Sequence, residues 1–294
     1  MTKGIYKRQS SEETSRKLKK LKEFQALPLV KKIEISNQVI EESVKIDGEA
    51  CLLFSGGKDS TVLLDLLKKN KVKFFAMYNN TTLGSFEADE FTRKMAKMMD
   101  VEYIETTAES PVEMWNKKGY FPILPKRTFN KYKKINPDLR ISPVQCCYQL
   151  KEKYANREMN KRKVKVVYWG NRASESMRRA FSFVDNGFLF KPKKHKWFQC
   201  YPLQHWTKQD IKDYICKNIP EYPINSNLES GCLCCATDIQ FKFNTLKKLH
   251  DSDYKKWLFY MRCGFGSEIL KIKGIDPAIL EKIIETKKEI LFRI

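Results

Sequence analysis

Six consecutive residues, Ser55-Gly56-Gly57-Lys58-Asp59-Ser60, combine the donors an anion needs with glycines that let a backbone come close to it. They follow the apolar run Ala50-Cys51-Leu52-Leu53-Phe54 and lead into Thr61-Val62-Leu63-Leu64-Asp65-Leu66-Leu67. A buried strand that turns through two glycines into a helix presents N–H groups and a partial positive charge at the turn. Ser55, Ser60 and Thr61 add hydroxyls, and Lys58 adds a point charge. The spacing is not that of a Walker loop, and no Gly-x-Gly-x-x-Gly fingerprint occurs.

A second group of chemically capable residues follows the apolar run Val164–Trp169. Gly170 permits close ligand approach, Arg172 and Arg178 offer planar forks that grip phosphate or sulfate, and Glu175 can orient one of them. The third group is made of cysteines. Cys146 and Cys147 are adjacent, and Cys232-Leu233-Cys234-Cys235 lies far downstream. Thiolates of Cys146, Cys147, Cys232 and Cys235 can ligate a 4Fe–4S cluster, each at its own iron corner. Structural zinc is the rival, and unliganded buried thiols are the third alternative. Neighbouring side chains diverge, which suits a cluster better than one small tetrahedral ion. Cys234 competes with Cys235 as ligand. Cys51, Cys200 and Cys216 are expected to be ordinary core residues, and the three histidines show no spacing that suggests chemistry.

The elements that must position these groups alternate. An amphipathic helix is predicted over Leu29–Val44, then the strand and helix around the glycine turn, a strand at Val72–Met77, a helix at Phe86–Met99 and a strand at Val101–Ile104. Residues 110–144 are rich in proline, glycine, lysine and asparagine and read as a long functional loop. A helix over Gln145–Lys161, a strand over Val164–Trp169 and a helix over Thr207–Lys217 capped by Thr207 complete the main body. The expected fold is α/β, a mostly parallel twisted sheet with helices on both faces, followed by a C-terminal cysteine-bearing segment with helices near Thr245–Met261 and Pro277–Leu291. The ligand should lie at the carboxyl ends of the strands. The expected organisation is a charged segment over 1–28, a nucleotide-binding domain over 29–225, and the cysteine cluster and helices over 226–294.

Bulk properties narrow the classes further. The 294 residues carry a formal charge of +21, with basic clusters at Arg16–Lys22, Lys126–Lys134, Lys151–Lys165 and Lys191–Lys196 interleaved with aromatics, a balance that favours nucleic acid as partner. No apolar run of about 18 residues exists, so no membrane span is expected. Residues 1–22 are charged throughout and lack a signal core, and nine cysteines, partly clustered, suit a reducing compartment, so a cytoplasmic location is expected.

The turn Ser55–Ser60 resembles the PP-loop of the adenine-nucleotide alpha-hydrolase superfamily, whose members split ATP between its α and β phosphates or bind an adenylyl sulfate there. Gly170-x-Arg172-x-x-Glu175-Ser176-x-Arg178 is similar to a signature of the phosphoadenosine phosphosulfate (PAPS) reductase family. Pro202-Leu203-x-x-Trp206-Thr207-x-x-Asp210 resembles another segment of that family and reads as structural. Cys146-Cys147-x-x-x-Lys151 with the later Cys-x-x-Cys is similar to adenylyl-sulfate reductases and to cluster-bearing PP-loop sulfurtransferases such as the DNA phosphorothioation enzyme. The resemblance implies a catalytic Lys151 between cluster and substrate, although Leu150 stands where many such reductases carry arginine.

Two activities follow from the resemblance. The first is ATP-dependent thiolation of DNA or tRNA. ATP would be held at Ser55–Thr61 with Arg172 and Arg178, Mg²⁺ would be assisted by Asp59, and sulfur would come from a donor such as a cysteine desulfurase. The alternative is an adenylyl-sulfate or PAPS reductase using Cys263 as nucleophile, but Arg262-Cys263-Gly264-Phe265 lacks the Glu and His that flank the family's cysteine. Either activity is compatible with a homodimer.

Overall fold

The computed structural model describes residues 11–109, 121–122, 141–142, 147–223 and 232. Its helices are α1 (Ser11–Ala26), α2 (Leu29–Val44), α3 (Lys58–Lys69), α4 (Phe86–Met98), α5 (Lys153–Lys161), α6 (Met177–Asn186) and α7 (Lys208–Asn218). Its strands are β1 (Ala50–Leu53), β2 (Phe75–Asn80), β3 (Tyr103–Thr107), β4 (Phe121–Pro122), β5 (Ile141–Ser142), β6 (Val166–Trp169), β7 (Leu189–Phe190) and β8 (Phe198–Cys200). The helices expected after residue 244, and Cys146, Cys234, Cys235 and Cys263, lie outside the described residues. The chain divides into two compact units that interleave along the sequence. The first takes Met1–Tyr78, Thr92–Ile104 and Met159–Asn227, and the second Asn79–Phe91, Glu105–Glu158 and Leu228–Ile294.

Three helices end alike, and this displaces the strands that follow them. Lys71, Asp100 and Lys163 adopt left-handed φ values of 54°, 45° and 57°. The next residue is a valine in each case. Val72 N–H donates to Leu67 O (3.0 Å), Val101 to Ala96 O (3.3 Å) and Val164 to Met159 O (3.0 Å). These are Schellman closures, in which the apolar residue after the turn seals the helix end. The valines are spent there, so β2, β3 and β6 begin two or three residues later than their apolar runs suggest.

The main sheet has the order β3-β2-β1-β6-β8-β7. β1 is parallel to β2 and to β6, β6 is parallel to β8, and only the edge strand β7 is shown antiparallel. The α/β class and mostly parallel sheet are therefore as expected. β1 and β6 are buried along most of their length, as central strands covered by helices must be. The strand order reverses between β1 and β6, and such a switch point opens a crevice at the carboxyl ends. In the second unit, β4 and β5 form a short parallel pair within the segment read as a long loop. Tyr148–Glu152, expected to be α-helical, is π-helical and carries Lys151.

Beneath α2 lies a buried polar layer. Lys32, 2% exposed, donates to Asp210 Oδ2 (2.6 Å) and to Gln25 O (2.7 Å). Asp210 also receives Thr207 N–H (2.6 Å) and Oγ1–H (2.7 Å), completing the capping box of α7. Burial alone would raise the Asp210 pKa, but Lys32 and Thr207 bring it below the usual carboxylate value. Trp206 is fully buried and donates to Ser36 Oγ (2.9 Å), which confirms a structural role for the segment from Pro202.

His205 completes this layer. Its Nε2 lies 3.2 Å from Lys32 O, while Nδ1 is buried without a partner among the described residues, so the neutral Nε2–H tautomer fits. Burial and the neighbouring Lys32 ammonium push its pKa down from 6.5 to about 4. The unfolded chain therefore takes up a proton that the folded chain refuses. The contribution of His205 to stability should be level above pH 6.5 and fall between 6.5 and 4, by about 3 kcal/mol in all. Asp210 titrates below this window. Denaturant unfolding of wild type and His205→Phe across pH 4–7 checks this. The variant should lose most of the slope, and parallel profiles would refute the assignment.

Candidate nucleotide site

The glycine turn adopts the strand–turn–helix form. Gly56 has φ 67°, and Gly57, extended at φ −69° and ψ 159°, is the N-cap of α3. The loop is tied internally: Ser60 Oγ donates to Gly57 O (2.9 Å) and lies 3.3 Å from Ser55 Oγ. Thr61 N–H donates to Gly57 O (3.0 Å). The N–H groups of Lys58, Asp59 and Ser60 open the helix and have no carbonyl a turn earlier to bond. Lys58 is half-buried and has no side-chain partner among the described residues. The donors are N–H, hydroxyl and ammonium groups, a set that suits a polyphosphate.

Both flanking glycines are required by packing. A Cβ on Gly56 would fall 2.5 Å from Thr92 Oγ1, besides the strain of positive φ. A Cβ on Gly170 would meet Ser60 N at 3.0 Å and Asp59 C at 3.1 Å. Gly170 thus lets the end of β6 close onto the first turn of α3.

Arg172 and Asp59 form an ion pair through Nε and Oδ1. The Arg172 side chain is 11% exposed, and its other nitrogens reach Ser174 Oγ (3.1 Å) and Glu175 Oε1 (4.0 Å). Burial raises the Asp59 pKa, with Arg172 pulling against it. The phosphate grip expected of Arg172 and the magnesium contact expected of Asp59 are therefore coupled, since each side chain occupies the other. Glu175, expected to orient Arg172 or Arg178, accepts from the backbone N–H of Arg172 (2.8 Å) and from the guanidinium of Arg179, a residue the sequence reading did not single out. Arg178 is exposed near the start of α6 without a partner among the described residues.

Three supports escaped sequence reasoning. Thr92 Oγ1 donates to Ser55 O (3.1 Å). Tyr222, its pKa raised to about 12 by burial and by Asp59, donates from its hydroxyl to Gly56 O (3.1 Å). Helix α1 packs Leu18 and Leu21 on Ala173, Ala180 and Phe183, the segment that carries Arg172 and Glu175. None of the three left a local sequence signal, whereas Arg179 did, in its i,i+4 spacing from Glu175.

Lys151, Cys147 and Cys232 belong to the second unit. Cys147 is exposed beside the π-helix, Lys151 is half-buried, and Cys232 Sγ lies 3.3 Å from Thr81 Oγ1. Among the described residues no three His, Cys, Asp or Glu side chains form a metal-holding group, and two of the four expected ligands fall outside them. Cys51 and Cys200 are fully buried, and burial raises both thiol pKa values. Cys216 corrects the expectation: it lies on the outward side of α7 and is exposed. No helix among the described residues is long and apolar enough to cross a membrane.

A parallel sheet whose strand order reverses beside a Ser-Gly-Gly-Lys-Asp-Ser turn defines a PP-loop nucleotide-binding protein. Residues 49–232 match the phosphoadenosine phosphosulfate reductase domain, more than half of the chain, and the chain belongs to that family. It is 26% identical over 250 residues to the uncharacterized protein MJ0973 of Methanocaldococcus jannaschii, covering 80% of this chain but only 55% of that protein. It is 27% identical over 234 residues to sulfate adenylyltransferase subunit 2 of Sulfurimonas denitrificans, covering 71% of this chain and 68% of the relative. Among solved structures, PAPS reductase from Candida auris aligns with a TM-score of 0.45 at 19% identity, over 72% of this chain and 88% of that one.

Proposed function

We propose that the chain binds ATP at Ser55–Thr61 and cleaves it between the α and β phosphates, adenylylating a nucleic acid that then receives sulfur. The observation that carries the reading is the first turn of α3 at the switch point, where the N–H groups of Lys58, Asp59 and Ser60 open the helix after the Gly56-Gly57 turn. Similarity to sulfate adenylyltransferase subunit 2, by name a transferase of adenylyl groups, supports ATP as substrate. The charge of +21 supports DNA or tRNA as acceptor.

The acceptor oxygen attacks the α-phosphorus while the bond to the bridging oxygen breaks, and pyrophosphate leaves. The N-terminus of α3 and Lys58 hold the phosphates, and Arg172 fixes the loop against the turn at 173–175. Bound Mg²⁺ would neutralise phosphate charge. A sulfur donor, such as a cysteine desulfurase, then displaces AMP. Cys146, Cys147, Cys232 and Cys235 would hold a 4Fe–4S cluster, whose chemistry is to bind sulfur or electrons, with Lys151 near it. The family's own name favours a second reading, reduction of an adenylyl sulfate to sulfite by a Cys263 thiolate.

One experiment separates the two. Anaerobically prepared protein is incubated with ATP and tRNA or duplex DNA, and in parallel with adenylyl sulfate or PAPS and a thiol reductant. AMP and pyrophosphate should form, Ser60→Ala should slow their formation tenfold or more, and iron should approach about four atoms per chain. ADP as product, or sulfite release lost in Cys263→Ser, would reject the proposal. One zinc and no iron would remove the cluster from it.

A further inference from the structure

The edge of the sheet carries a combination that the nucleotide site does not use. From Gly187 to Gln209 the chain contains no aspartate or glutamate, while Lys191, Lys193, Lys194 and Lys196 fall within six residues just beyond β7. All four are exposed, and Lys193, Lys194 and Lys196 have no side-chain partner among the described residues. Lys191 Nζ sits 5.6 Å from the centroid of the Phe198 ring. His195 is stacked on buried Trp197 at 4.7 Å.

Aromatic rings run inward from these lysines. Phe190 of the edge strand stacks on Tyr201 with centroids 5.8 Å apart and planes 10° apart. Tyr201 stacks in turn on Trp169, at 6.1 Å and 19°. All three are half-buried. Trp169 directly precedes Gly170, which packs on Ser60, so the row leads from the basic edge to the nucleotide loop. Lysine on an edge strand commonly blocks unwanted strand pairing. Here the lysines lie beyond Leu189–Phe190 rather than on it, and blocking would need no stacked rings. Uncompensated lysines beside partly open aromatic faces form the usual surface for single strands, with the backbone on the charges and bases on the rings.

We infer that the β7–β8 edge, Lys191–Lys196 with Phe190 and Tyr201, docks a single-stranded stretch of nucleic acid and directs it toward the loop at Ser55–Ser60. This deepens the nucleic-acid reading above and rests on it.

The test is fluorescence anisotropy of the full chain with a labelled oligothymidylate of about 20 nucleotides, and with the matching duplex, over rising salt. Combined Lys193→Ala, Lys194→Ala and Lys196→Ala should weaken single-strand binding tenfold or more at about 0.1 M salt and reduce the log–log salt slope by about 2. Lys45→Ala, Lys212→Ala and Lys217→Ala, removing the same charge from exposed sites elsewhere, should have little effect. Phe190→Ala should weaken single-strand binding about tenfold and leave the salt slope unchanged. Equal losses in both triple variants, no loss in the first, or duplex-only binding indifferent to Phe190→Ala would overturn the inference. ATP-to-AMP turnover, measured on the same proteins, fails separately. Its absence alongside a selective edge defect would sink the proposed reaction and keep the docking surface, and its presence without that defect would do the reverse.

Discussion

Arg172→Ala should weaken ATP binding by about two orders of magnitude and lower stability by about 3 kcal/mol, the scale expected when one member of a mostly buried ion pair is removed. Asp59 would keep a carboxylate in a site where burial already opposes its charge. The turn at 173–175 would also lose its tie to the nucleotide loop, since Arg172 bridges Asp59 and Ser174. Arg172→Lys should recover little, because one ammonium cannot span two partners held by a planar fork. Calorimetric titration with ATP, paired with denaturant unfolding, reads both effects. Wild-type affinity in Arg172→Ala would show that the pair is incidental to the site. In the Asp59→Asn, Arg172→Met double variant the losses should fall short of their sum, as expected for groups that act together.

Lys32→Met should cost the fold about 3–5 kcal/mol without touching the nucleotide loop. The substitution leaves Asp210 with its charge and only the Thr207 donors, and leaves Gln25 O without its ammonium partner. Asp210→Asn should be comparably harmful, because it strands an ammonium that is 2% exposed. The double variant Lys32→Met, Asp210→Asn should be more stable than additivity allows, since neither charge then remains buried alone. Urea unfolding of the four proteins at pH 7 measures the cycle. Strict additivity would mean that the two side chains do not share their energetics.

Part of this protein was legible because its signals are local. The turn from β1 into α3 needs only consecutive residues: an apolar run, two glycines, then a helix with hydroxyls and lysine at its start. The cap of α7 is equally local, with Thr207 and Asp210 three residues apart, and α2 falls where its apolar spacing places it. The sequence by itself therefore determined the nucleotide loop, the order of alternating elements and the family. Tertiary structure decided the rest, because the partners are distant in the chain and no periodicity links them. Nothing near Asp59 announces Arg172, nothing near Lys32 announces Asp210, and Thr92 and Tyr222 reach the loop carbonyls only once the first unit is assembled. Helix α1 reads as a charged segment because its few apolar residues matter only against Phe183 and Ala180. The strand starts moved for a related reason. A valine after a left-handed residue suits a strand and a helix seal equally well, and the hydrogen bond to the preceding helix decides between them.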